Sequence, residues 1–173
     1  MKNRFFCLLF ILAGSFLGNA QVNPHAIGVR GLFGNYGSGG EISYQHGMGD
    51  MNRLELDLGW RSSRYGWRYK KKDKYYRNNL GITGVYHWVW NIEDGFNWFA
   101  GIGGQLGYFS SYDEDYYREG LALALGGQVG IEYDFNSIGA PLQLGLDARP
   151  MWEFIGGPNT IGYGIALSLR YTF

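Results

Sequence analysis

The chain has 173 residues with 15 basic and 15 acidic side chains, room for one domain but not for two sizeable ones. Aromatics at 18% and 29 glycines exclude a disordered chain, which lacks aromatics, and favour an all-β protein with many tight turns. A mean hydropathy of -0.22 with only one long apolar run excludes a helical membrane protein.

That run opens the chain. Lys2 and Arg4 form a positive segment, Phe5 to Leu17 an apolar stretch of 13 residues, and Gly18-Asn19-Ala20 a small-residue cleavage site. The stretch is shorter than the roughly 18 residues a spanning helix needs. Residues 1–20 are therefore expected to be a signal peptide, and 21–173 one domain. Cys7, the only cysteine, precedes most of the apolar stretch, which argues against a lipoprotein anchor. Without the leader no thiol, disulfide or thiolate metal site remains, and the charge balance becomes 13 against 15, about -2.

From residue 25 onward the dominant period is two. Residues 53–60 alternate strictly: Leu54, Leu56, Leu58 and Trp60 on one face, Arg53, Glu55 and Asp57 on the other. A helix would mix these sets around its circumference, whereas a strand separates them. The same pattern predicts strands near 25–34, 40–48, 53–62, 76–89, 96–109, 120–135, 142–150 and 161–173. An even number suits a closed antiparallel barrel with both ends on one side. The connections 47–52, 89–95 and 136–141 are short; 61–75, 110–119 and 151–160 are longer, and only 35–39 in that second set is brief. Short periplasmic turns and long extracellular loops alternate in this way, with periplasmic termini.

The less apolar face decides what surrounds the barrel. In the last strand it reads Gly162, Gly164, Ala166, Ser168, Arg170 and Thr172; in the sixth, Ala122, Ala124, Gly126, Gln128, Gly130 and Glu132. These residues suit a crowded interior rather than a water-facing wall. The reverse orientation would press Glu55 and Asp57 against acyl chains. Charges there cost up to ~2–4 kcal/mol each at mid-bilayer, much of a ~5–15 kcal/mol stability. The leucines are therefore expected to face lipid. Trp60 and Tyr108 fall near one rim, and Trp88, Trp90, Trp98, Tyr133 and Tyr171 near the other, as interfacial girdles would.

The ending Tyr163-Gly-Ile-Ala-Leu-Ser-Leu-Arg-Tyr-Thr-Phe173 resembles the C-terminal β-signal of Gram-negative outer-membrane barrels. The resemblance implies recognition of Leu169, Tyr171 and Phe173 by the barrel-assembly machinery. With the leader, the chain is similar to the small eight-stranded OmpA-like and OmpX-like barrels, and no appended periplasmic domain is expected. The expected fold is thus an all-β, eight-stranded antiparallel transmembrane β-barrel in the outer membrane.

A barrel of eight strands is just wide enough for side chains to fill. Its predicted lumen holds Arg30, Glu55, Asp57, Glu132, Asp147, Arg149 and Arg170, accompanied by Gln45, His87, Gln105, Gln128 and Gln143. Buried charges must pair, so three arginines against four carboxylates predict a plug with no measurable pore. Lipid A deacylases resemble this architecture, but their Ser/His/acid group lies at the outer rim. His25, His46 and His87 all fall at the periplasmic end. Lipid A palmitoyltransferases resemble a barrel with an apolar lumen, which these charges contradict. A non-enzymatic barrel without cofactor is expected.

Metal binding has little support: the histidines form no ligand pair at strand spacing, and Asp113, Glu114 and Asp115 read as a solvated loop. Gly101, Gly103 and Gly104 lie inside a strand with no helix following, which excludes a nucleotide loop.

The loops carry the strongest functional signal. Residues 61–77 contain Arg61, Arg64, Arg68, Lys70, Lys71, Lys72, Lys74 and Arg77 against Asp73, 8 − 1 = +7, interleaved with Tyr65, Trp67, Tyr69, Tyr75 and Tyr76. Residues 110–119 carry −3. The basic loop, above all Arg64, Trp67, Arg68, Lys70, Lys71, Lys72 and Lys74, is a candidate to clamp lipopolysaccharide phosphates or to dock a partner protein. Nucleic acid is not an expected partner outside the cell. The leading expectation is a structural barrel or an accessory subunit of an envelope assembly, such as one resembling the small barrels of the type IX secretion system. A lipopolysaccharide-binding or adhesion barrel and a lipid A-modifying enzyme are the alternatives.

Overall fold

The computed structural model describes residues 25–35, 37–65, 75–113, 116–156 and 161–173. Eight strands follow one another: β1 His25–Gly34, β2 Gly37–Gly47, β3 Asn52–Tyr65, β4 Tyr75–Glu93, β5 Phe96–Asp113, β6 Tyr116–Asp134, β7 Leu142–Ile155 and β8 Ile161–Thr172. Each pairs antiparallel with its neighbours in sequence, and β8 returns to β1, closing the barrel. Closure leaves no strand edge unpaired, the condition for a sheet in lipid. The leader expected at 1–20 lies outside the described residues.

The turns at the end that holds the termini are tight. Asp94-Gly95 joins β4 to β5 in two residues, with Gly95 at φ 77, which a side chain would strain. A 3-10 turn, Phe135–Ile138, joins β6 to β7, capped by the Asp134 carboxylate accepting from Asn136 N–H at 2.9 Å. At the opposite end the strands run further than alternation predicts. β3 reaches Tyr65, β4 begins at Tyr75, β5 and β6 extend to Asp113 and from Tyr116, and β7 reaches Ile155. The predicted loops 61–75, 110–119 and 151–160 shrink accordingly. Polar side chains there obscured the period, because a strand that projects past the hydrocarbon no longer needs an apolar face.

Burial is inverted relative to a soluble protein. Glu55 and His87 are fully buried and Arg30 is 1% exposed, while Val29 and Leu121 are each 61% exposed. The exposed side chains alternate along every strand, as in Ile161, Tyr163, Ile165, Leu167, Leu169 and Tyr171 of β8. Trp90 stacks on Trp98 at 4.2 Å near the terminal end. Trp60, Tyr108, Trp152 and Tyr163 are exposed toward the other.

Glycine makes the tight closure possible. A Cβ on Gly28 would stand 2.0 Å from the Leu169 carbonyl oxygen across the β1–β8 seam. One ladder is incomplete: between Gly126↔Met151 and Val129↔Ala148 the β6–β7 pairing skips two rungs. Pro150, which has no N–H to donate, sits in that gap with its ring on the exposed face.

Candidate functional site

The lumen is built from inward positions of all eight strands. Arg30 of β1 donates to Glu41, to Asp57 at 3.0 Å and to Asp147 at 2.6 Å. Arg149 of β7 donates to Asp57, to Glu55 at 2.8 Å, to Glu41 at 3.3 Å and to Gln128 at 3.0 Å. Arg170 of β8 reaches Glu55 at 2.8 Å and Ser43 at 3.1 Å. Glu55 thus accepts from two arginines and from Gln45 and Gln128, at 2.7 and 3.1 Å. Below this cluster, Arg53 grips Glu132 with two bonds of 2.7 and 2.6 Å while its guanidinium lies 4.9 Å over the Phe99 ring. Its Nε–H donates to His87 Nδ1 at 3.2 Å, which makes that nitrogen the acceptor and keeps the imidazole neutral.

All seven predicted lumen residues therefore point inward and are paired. Six of them, Arg30, Glu55, Asp57, Asp147, Arg149 and Arg170, share one network; Glu132 belongs to the Arg53 pair. Alternation missed five more ions. Glu41 stands in a glycine-rich stretch with weak periodicity, and Arg53 shares the polar face of Glu55 without having been counted. Arg61 and Arg77 are counted with the basic stretch 61–77, and Glu153 falls in the predicted connection 151–160. Arg61 instead donates to Glu41 at 3.0 Å, and Arg77 pairs with Glu153 and donates to the Gly156 carbonyl at 3.0 Å. The predicted +7 of the basic loop is corrected by these two inward arginines: residues 64–74 retain 6 − 1 = +5. Among the described residues the lumen holds six arginines (30, 53, 61, 77, 149, 170) and six carboxylates (Glu41, Glu55, Asp57, Glu132, Asp147, Glu153), a neutral filling.

Of the predicted loop residues, Trp67, Arg68, Lys70, Lys71, Lys72 and Lys74 lie outside the described residues, and Arg64 occupies a β3 position opposite Tyr76 of β4. Leu169, Tyr171 and Phe173 face outward on the seam, where Phe173 N–H donates to the His25 carbonyl at 3.0 Å. One expectation needs correction: histidines that form no pair at the spacing of one strand are brought together across two. His25 and His46 face each other across β1–β2 with rings 4.7 Å apart, because a two-strand register makes neighbours of residues far apart in sequence. Among the described residues no group of three His, Cys, Asp or Glu side chains that could hold a metal forms.

The closed eight-strand order, the polar filling and the greasy outer wall match a known class of solved structures. The fold is that of the small outer-membrane β-barrels. The N-terminal β-barrel domain of OprF from Pseudomonas aeruginosa aligns over 87% of this chain and 98% of its own, with a TM-score of 0.62 and 13% identity. Neisserial surface protein A aligns over 86% and 95%, at a TM-score of 0.56 and 15% identity. Ail, the attachment invasion locus protein of Yersinia pestis, solved with the heparin analogue sucrose octasulfate, aligns over 86% and 96% at 0.56 and 9% identity. No protein-family model and no curated protein matches the sequence. Identities this low establish the outer-membrane barrel fold and leave activity to the chain's own residues.

Proposed function

We propose that this protein is a non-enzymatic, non-conducting outer-membrane barrel that works through its extracellular end, where the β3–β4 hairpin binds lipopolysaccharide phosphates. The observation that carries this reading is the partition of charge. Once the six lumen arginines are paired, seven basic residues of 21–173 remain: Arg64, Arg68, Lys70, Lys71, Lys72, Lys74 and Arg118. All belong to connections or strand ends opposite the termini. The turns at the terminal end carry only Asp50, Glu93, Asp94 and Asp134. With the leader removed after Ala20 and the termini periplasmic, the connections that carry these seven residues lie on the side of the phosphate-bearing outer leaflet. Lysine and arginine recognise phosphate through charge-assisted hydrogen bonds, and the solved complex of Ail with a heparin analogue gives a fold neighbour holding a polyanion.

The aromatic residues Trp67, Tyr69 and Tyr75 within the same hairpin favour a second reading, in which it docks a partner protein and the barrel is an accessory subunit of an envelope assembly. The comparisons lend no support to a secretion machine as that assembly.

Vesicle binding separates these readings. Folded protein in detergent is expected to bind vesicles containing lipopolysaccharide more tightly than vesicles with dephosphorylated lipopolysaccharide. Added salt should weaken the difference, because exposed charges are screened within ~8 Å at physiological ionic strength. Combining Lys70→Gln, Lys71→Gln and Lys72→Gln should remove at least tenfold of it. Equal binding to both vesicles would defeat the phosphate reading, and recovery of a stoichiometric protein partner from mild-detergent membranes would favour the second. Stable open-channel steps in planar bilayers would contradict the sealed lumen.

A further inference from the structure

His25 opens β1 and His46 is the last residue but one of β2, both on the outward face at the end that holds the termini. They are register partners, with rings stacked 4.7 Å apart. Tyr44, the neighbouring outward residue of β2, sends its hydroxyl back toward the pair. That oxygen lies 3.5 Å from Nδ1 of His25 and 3.4 Å from Nδ1 of His46. Both separations exceed the roughly 2.7–3.2 Å of ordinary hydrogen bonds involving nitrogen, and one hydroxyl proton serves one nitrogen at a time. His46 is exposed and its two companions are half-buried, so water reaches the group.

Two imidazole nitrogens and a phenol oxygen are donors that late divalent transition metals accept, and the spacing selects among geometries. A tetrahedral ion with bonds of about 2.0–2.1 Å holds its ligand atoms about 3.3–3.4 Å apart, whereas a square-planar one holds adjacent ligands about 2.8–3.0 Å apart. The two nitrogen–oxygen separations match the tetrahedron. The third edge, between the two nitrogens, closes by rotation of the exposed His46 ring. The electrostatic setting agrees: the turns at this end carry Asp50, Glu93, Asp94 and Asp134 and no Lys or Arg, and Asp50 follows His46 in the β2–β3 connection. Such a rim concentrates cations.

We propose that His25, His46 and Tyr44 form a binding site for a tetrahedral divalent transition-metal ion, with zinc the best fit and water as the fourth ligand. The ion takes the lone pairs of two neutral Nδ1 atoms, and the phenol proton leaves to solvent as the oxygen ligates. Bound there, it clips β1 to β2 beside the β1–β8 seam, where the Phe173 ring lies 5.7 Å from that of His25. The third histidine, His87, takes no part, because it is buried and its Nδ1 already accepts from Arg53. The site lies at the end opposite the β3–β4 hairpin and is independent of what that hairpin binds.

The test is a zinc titration of the untagged protein, purified from membranes in detergent micelles, with ¹⁵N-histidine labelling. Zinc is expected to shift two of the three imidazoles and leave His87 unmoved, and magnesium, which prefers oxygen ligands, to shift none. Loss of an outer-shell partner already costs a metal site about 10–100-fold, so His25→Gln and His46→Gln should each weaken zinc binding at least about tenfold. Cobalt(II) in place of zinc should give the intense visible absorption of a tetrahedral site, bleached when zinc is added. If a variant fails to fold, the pattern of two shifted imidazoles in the unmutated protein still decides. Zinc shifting no imidazole, or all three alike, overturns the proposal. Undiminished affinity in His46→Gln overturns the cross-strand site, and undiminished affinity in Tyr44→Phe overturns the phenol ligand. Weak cobalt absorption of the six-coordinate kind overturns the tetrahedral geometry.

Discussion

Replacing Glu55 by Gln tests the lumen at its most connected point. Glu55 is fully buried and accepts from Gln45, Gln128, Arg149 and Arg170. Glutamine keeps the shape but removes one charge from a lumen of six against six, so Arg170 loses the one carboxylate it pairs with among the described residues and the filling becomes +1. Removing one partner from a buried ion pair costs about 3–5 kcal/mol, mostly from the charge left behind. With a urea slope of about 2 kcal/mol per molar, a loss near 4 kcal/mol lowers the unfolding midpoint by about 2 M. The assay is reversible urea unfolding of the barrel in vesicles, followed by tryptophan fluorescence. Adding Arg170→Met restores neutrality and is expected to recover part of the loss, with a coupling of about 0.5–3 kcal/mol. A loss below about 1 kcal/mol for Glu55→Gln, or a double variant less stable by the simple sum, would refute the neutral-plug account.

Three further outcomes follow from the same geometry. Leu125→Arg, at an exposed mid-strand position on β6, should destabilise the barrel in vesicles by about 2–4 kcal/mol, read from the urea midpoint; an unchanged midpoint would mean that this face does not meet hydrocarbon. Gly28→Ala puts a Cβ 2.0 Å from the Leu169 carbonyl oxygen, so refolding yield on a gel of unheated samples should collapse, whereas Gly84→Ala, whose nearest contact is 3.5 Å, should refold normally. Phe173→Ala should reduce membrane assembly in cells while leaving unassisted refolding in detergent nearly unchanged; equal losses in both would make the residue structural rather than a recognition signal.

The wall was legible in the sequence because lipid imposes one rule on every strand: Leu54, Leu56 and Leu58, or Ile165, Leu167 and Leu169, repeat every second residue for as long as hydrocarbon lasts. Beyond it the rule lapses. Ser62, Ser63, Asn78 and Asn79 carry no period, yet the ladder continues through them, so Arg61 and Arg77 read as part of the basic stretch and Glu153 as part of a connection. Glu41 was hidden by its setting of Gly37, Gly39 and Gly40, where absent side chains erase the alternation. Pairings were not legible at all. That Arg30 meets Asp147 across 117 residues depends on register and closure, and neither is encoded locally.

A lumen of twelve ions looks costly until the solvent is considered. In a soluble barrel the apolar core supplies folding energy by leaving water, at about 25 cal/mol per Å². Here the apolar surface is on the outside and leaves water by entering the bilayer, so the interior is freed from supplying that term and must only satisfy its own polar groups. Satisfaction is a property of the closed sheet. Arg30 from β1 needs Asp147 from β7, Arg170 from β8 needs Glu55 from β3, and the β1–β8 seam brings those strands together. An open sheet with six or seven strands inserted would leave several of these charges unpaired next to hydrocarbon. Closure and charge pairing must therefore occur in one step, and a partly inserted intermediate holding the β1–β8 seam open is disfavoured by the lumen itself.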